Sequence, residues 1–157
     1  MNPNQTLESA AHYFLTNLET PLTLVASSSI YKGVDNPLEV DSDESSDDRE
    51  TRAHPSVSMI AEGTHEEAVF NSRIFQGMLA VMVEANAFTT TDTSFAAICD
   101  QVFSKFNILE LEANMSAGTA DFRLIQAHVV GVSDSVNNGG NWQKTLRLAC
   151  VYAEADI

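Results

Sequence analysis

The stretch VDNPLEVDSDESSDDRETR, from Val34 to Arg52, is the densest gathering of acids in the chain. Clustered carboxylates can ligate a hard divalent cation or set a local electrostatic field. Calcium is the sharpest reading to test. An EF-hand loop beginning at Asp41 puts Asp43 correctly in third position, but Ser46 stands where the sharp turn needs Gly. Arg52 then stands where a bidentate Glu must close the site. Beginning at Asp43 puts Asp48 at the Gly position and His54 at the end, so both registers fail. Two readings remain: a looser divalent site among Asp41, Asp43, Asp47 and Asp48, and a solvated loop that like charges hold extended.

Other residues with chemical potential are scattered. His65-Glu66-Glu67 lacks the second His at helical spacing that a zinc-binding helix needs, and reads as a surface turn. His12, His54 and His128 fall on three different elements, and His128, inside an apolar strand, reads as a satisfied core histidine. There is no Gly-x-Ser-x-Gly elbow and no Gly-rich phosphate loop before a helix; NNGG is a turn signal. Glu84 and Asp100 are the acids embedded in apolar segments. The first nears a strand end and the second follows Cys99 off a helix's apolar face, so no carboxylate pair with divergent environments forms. Nucleophile, base and orienter do not come together, and the expectation is a protein with no catalytic residue, no resident metal and no cofactor.

Whole-chain properties narrow the class further. With 157 residues, 44% hydrophobic and 19% charged, the chain fits one globular domain over residues 1–157, burying roughly 70% of the surface its unfolded form exposes. Twenty-two acids against eight Lys and Arg give a net charge of −14, which argues against a DNA-wrapping or groove-reading protein but not against one that lets DNA slide past. The amino terminus lacks the basic and apolar regions of a signal peptide, and no apolar run is long enough to span a membrane. Cys99 and Cys150 sit among apolar residues and read as two reduced core thiols.

The elements that must position these residues follow from periodicity. Asn2-Pro3 starts a helix carrying Leu7, Ala10, Ala11, Phe14, Leu15 and Leu18 on one face, and Pro21 stops it. Leu22 to Gly33 has the composition of a strand. The acidic loop, about residues 35–53, is an insertion before the next strand, His54 to Gly63, which glycine and charge interrupt. Arg73 to Ala87 reads as a long strand apolar on both sides, as in the middle of a covered sheet, with Met78, Leu79, Ala80 and Met82 keeping a helix as the alternative. Phe95, Ile98, Cys99, Val102, Phe103 and Phe106 line one face of a helix capped at Thr91 or Asp92. Ile108 to Met115 is a helix end or a short strand, and Gly118 marks a turn. Phe122 onward forms a hairpin through VNNGGN, with Leu146, Leu148, Cys150 and Tyr152 sharing one face of the last strand. The predicted class is α+β: a mainly antiparallel sheet of about four or five strands, two helices on one face, a long acidic loop and a C-terminal hairpin.

In this order of elements the chain resembles the tail terminator and tail-completion proteins of long-tailed bacteriophages, part of the wider group of neck and head-to-tail connecting proteins. The resemblance runs from SSSIYKGVDNPLE through HPSVSMIAEG, FQGMLAVMVEANA and the Thr91 to Asn107 helix to HVVGVSDSVNNGGNWQKTLRLACVYA, nearly the whole chain. It rests on element order and texture more than on a fixed motif. It implies a structural virion protein, made in the host cytoplasm, that assembles with itself into a ring of about six subunits. The ring docks on the tail tube protein, stops tube growth and meets the head-completion proteins, while genomic DNA passes through its lumen without specific binding. A head-closure or adaptor protein of the same neck is the alternative, and a small divalent-metal-binding module or enzyme is the third. The resemblance makes exposed strand edges and the hairpin from Ser133 to Trp142, with Asn138 and Trp142, candidate subunit contacts; a Trp142 that closes the hairpin against its own core is the equal alternative. It also makes Asp41, Asp43, Glu44, Asp47 and Asp48 a candidate lumen-facing patch that repels phosphate. Replacing Asp41, Asp43, Asp47 and Asp48 with Asn is expected to slow DNA ejection, measured by dye uptake in released DNA; unchanged kinetics would leave the acids a solubilising role.

Overall fold

The computed structural model describes residues 3–33, 55–69, 72–107 and 122–154. The acidic stretch with Asp41, Asp43, Glu44, Asp47 and Asp48 lies outside the described residues, as do His54, Ile108 to Met115 and Gly118. What is described is an α+β fold with a mostly antiparallel six-stranded sheet.

Helix α1 (Pro3–Thr16) starts at a proline, whose missing N–H costs nothing in a first turn. It ends at Thr16, ahead of Pro21, where side chains add to the bonds of the last turn: Thr16 Oγ1 donates to His12 O at 2.8 Å, and the Asn17 side-chain amide donates to Tyr13 O at 2.9 Å beside the Asn17 backbone N–H at 3.0 Å. Leu18 therefore lies beyond the helix, partly buried against the core. Leu22 to Gly33 is not one strand. Gln101 explains why: its Oε1 accepts from the Thr23 and Leu24 amides at 3.2 and 3.0 Å, so this backbone is satisfied by a side chain and not by a neighbouring strand. Strand character survives in β1 (Ile30–Lys32), after a single 3-10 turn at Ser27–Ser29.

Strand β2 (Ser56–Val69) and strand β3 (Ser72–Asn86) pair antiparallel. The expected stop at Gly63 is a bulge: Gly63 takes φ +62, the register shifts between Glu62 and His65, and the strand continues. His65-Glu66-Glu67 is thus strand backbone opposite Gln76, Phe75 and Ile74, and not a turn. Helix α2 (Asp92–Ser104) is capped as the sequence predicts, with Thr91 Oγ1 accepting from Ser94 N at 3.2 Å. Strand β4 (Phe122–Val132), short strand β5 (Val136–Asn138) and strand β6 (Asn141–Glu154) complete the sheet. Gly139 and Gly140, at φ +63 and +90, make the two-residue turn between β5 and β6.

The sheet order is β1-β2-β3-β6-β4, with β5 continuing the edge beside β6. Only the β1–β2 pair is parallel. The pieces beyond the predicted four or five strands are the two short ones, β1 and β5, each of three residues.

One face of the sheet carries the core. Val57 and Met59 on β2, Leu79, Val81 and Val83 on β3, and Leu146, Leu148 and Tyr152 on β6 meet Leu7, Ala10, Phe14 and Leu15 of α1. Phe95, Ile98, Cys99, Val102 and Phe103 of α2 join the same cluster, each large side chain contributing about 1.5–3 kcal/mol by leaving water. Phe14 meets Phe106, in the turn just after α2, edge-on at 5.3 Å.

Two polar links fasten α1 to the sheet. Glu8 Oε1 accepts from Ala61 N at 3.1 Å, and His12 Nε2 donates to Ile30 O at 3.0 Å. Burial lowers the His12 pKa below its usual value; the Ile30 bond opposes this, and Lys32 adds to it. Because the folded state holds His12 below its unfolded pKa of about 6.5, acid favours the unfolded chain, which takes the proton first. Stability from His12 is expected to be complete above about pH 6.5 and to fall as pH drops through the lower folded value. Urea midpoints between pH 7.5 and 5 check this: His12→Gln should decline less steeply than the wild type.

Candidate functional site

Trp142, a candidate contact from the sequence, is committed to its own core. It sits on the helix-covered face of β6, opposite Ala85, with its ring stacked on Phe95 at 6.1 Å and 21°. Its Nε1 donates to Thr90 O at 2.9 Å. Asn138 is the last residue of β5, opposite Asn141. The two thiols are buried and unbonded to one another. Burial pushes the Cys99 thiol up to about 11 and the Cys150 thiol up to about 12, which favours the protonated form of each. Among the described residues no group of three or more His, Cys, Asp or Glu could hold a metal ion, and no helix is long and apolar enough to cross a membrane.

Two surfaces stand out instead. The first is the edge of β4 and β5, which pairs with no further strand among the described residues. The helices cover β2, β3 and β6 but leave β4 bare after Leu124, so Ile125, Val129, Val130, Val132 and Val136 are 37 to 55% exposed. Two bulges, at Leu124/Gln126 and Val129/Gly131, insert Ile125 and Val130 into the edge. Neither β4 nor β5 contains an acid. Such a row of apolar residues beside unpaired backbone groups invites pairing with another chain.

The second surface is a concavity of about 670 Å³ on the sheet face opposite the helices. Its register is readable row by row. Glu62, Met78, Ala149 and His128 lie abreast on β2, β3, β6 and β4. Gln76, Val151 and Gln126 form the next row, and Arg147 stands on the other side, between Ala80 and Gly131. Met78, Ala149 and Val151 make the floor. His128 is therefore not a core histidine: it is exposed on an edge strand, because the helices stop short of β4 and its side chain takes the uncovered face.

Neither surface carries a catalytic motif in the sequence. The signals present were negative ones: FRLIQAHVVGV loses its alternation after Leu124 and carries no acid, and Arg147 interrupts an apolar run on the non-core parity of β6. No protein-family model matches the chain, and no curated protein does. The geometry itself, two unlike surfaces around a chemically quiet core, is what bears on function.

If Trp142 serves folding and not contact, its substitutions act on stability alone. Trp142→Phe should cost about 1 kcal/mol through the lost Thr90 bond, and Trp142→Ala about 3–4 kcal/mol through the cavity beside Phe95. Urea denaturation measures both, and sedimentation of Trp142→Phe should match the wild type.

Proposed function

We propose that this protein is a ring-forming structural subunit of the neck of a long-tailed bacteriophage, a tail terminator that caps the tube, ends its growth and joins it to the head-completion proteins. The observation that carries the reading is the bare β4–β5 edge: a half-exposed apolar row, free of acids, at one end of a sheet whose other end is the three-residue β1. A closed ring needs two different patches on each subunit that meet head to tail, and a sheet with two unlike ends supplies them.

The role is non-catalytic. Thiols held protonated and polar side chains engaged in holding helices to the sheet are consistent with a part whose work is contact. In this reading the tube protein and the head-completion proteins bind the two flat sides of the ring, and the net charge of −14 lets DNA pass the assembly without adhering.

Electron microscopy of particles from a phage with a stop codon in this gene tests the assignment. Overlong, headless tubes are expected. Tails of normal length beside unattached filled heads would move the protein to the head-closure or adaptor role, and intact particles would overturn the neck assignment. For the edge itself, Val130→Asp should reduce the assembled species to monomer in analytical ultracentrifugation.

A further inference from the structure

The distribution of charge is as uneven as that of exposed apolar surface. Residues 122–154 hold Arg123, Lys144 and Arg147 against Asp134 and Glu154, a net charge of +1, in a chain of −14; the remainder therefore carries −15. Copies of so acidic a chain repel one another at most orientations. Contact between two copies is electrostatically favourable only where the +1 block of one meets the acidic remainder of another. A head-to-tail arrangement makes this block-to-remainder contact at every junction of a ring.

Within the block, Arg147 is placed to receive a carboxylate. It is exposed near the middle of the sheet face, and its direct register neighbours are the small residues Ala80 on β3 and Gly131 on β4. Among the described residues no carboxylate lies within ion-pair range of it, although Arg73 on the same sheet is paired with Glu154 at 3.4 Å. The guanidinium fork presents parallel donors that match a carboxylate edge. Around it the concavity adds His128 and the Gln76 and Gln126 amides over a floor of Met78, Ala149 and Val151. Among its described lining residues the acid is Glu62, two strands from Arg147 on β2. Gln126 and His128 belong to β4, so the concavity is continuous with the bare edge.

We propose that this concavity is a receptor for an acidic side chain of a second copy of the chain, with Arg147 as its charged anchor. The proposal rests on the reading of the β4–β5 edge as a subunit contact and adds its electrostatic key. Apolar burial along Ile125, Val130 and Val132 supplies contact area, while Arg147 fixes which part of the neighbour may approach. A rim charge of this kind also makes assembly salt-dependent, since screening at high ionic strength removes the attraction.

Analytical ultracentrifugation of the full chain across a salt series, comparing wild type, Val130→Asp, Arg147→Gln and Arg147→Lys, tests this. Wild-type association should weaken as salt rises. Arg147→Gln should weaken it about tenfold at low salt and flatten the salt dependence, and Arg147→Lys, which keeps the charge without the fork, should fall between. Circular dichroism and urea midpoints show whether each variant is folded, and Arg147→Lys stands in if Arg147→Gln is not. If Val130→Asp dissociates the assembly while both Arg147 variants retain wild-type affinity and salt response, the edge contact stands and the receptor proposal is overturned. If the wild type stays monomeric at every concentration, the edge reading fails and the proposal with it.

Discussion

The antiparallel ladder between β3 and β6 is the constraint from which the rest of the structure follows. It runs without a register shift from Arg73 opposite Glu154 to Asn86 opposite Asn141. Because side chains alternate across a strand, this single register decides the face of every residue in the sheet's centre: Leu79, Val81 and Val83 join Leu146 and Leu148 under the helices, while Met78, Ala80 and Gln76 join Arg147 and Ala149 on the other side. A slip by one residue would exchange the two sets. It would bury Arg147 beneath α2 without a partner, which is why the register is so strongly held.

Polar contacts then tie the layers in place. Glu8 and His12 fix α1 to β2 and β1, and Gln101 fixes the segment after α1 to α2. Trp142 does the same between β6 and the turn before α2. These groups would be the natural candidates for chemistry in a chain otherwise poor in it, yet each is engaged in holding one element to another. Polar side chains not so engaged, Arg147, His128, Gln76 and Gln126 among them, gather on the uncovered face. The division is physical: a polar group drawn toward the interior is stabilised by a partner, and Glu8, His12, Gln101 and Trp142 find theirs on backbone amides and carbonyls of neighbouring elements.

The surface inherits its asymmetry from the sheet order. β6 is covered on one side by β3, so its other side must be closed by β4 and β5, which are last in the order of the described strands. The helices reach β6 but not the far half of β4, and the valines there remain in water. Apolar exposure and the scarcity of acids coincide on this edge, whereas acids crowd the rest of a chain with net charge −14. A molecule built this way presents two unlike sides, the minimum requirement for head-to-tail assembly.

Sequence alone determined the secondary structure wherever local chemistry was decisive. The amphipathic period of α1 and α2, the Thr91 cap, the parity of β6 and the paired glycines of the β5–β6 turn are properties of neighbours in the chain, and all stand in the fold. The α+β class followed from their order. Tertiary structure decided what depends on residues far apart. Gln101 turned an expected strand at Leu22 to Ala26 into irregular chain, because its amide reached backbone groups 77 and 78 residues away. The bulge at Gly63 let β2 run on to match the length of β3. His128, apolar in its local setting, came to lie in water beside Arg147, because burial of a strand depends on what stands above it and next to it, and only the sheet order specifies that.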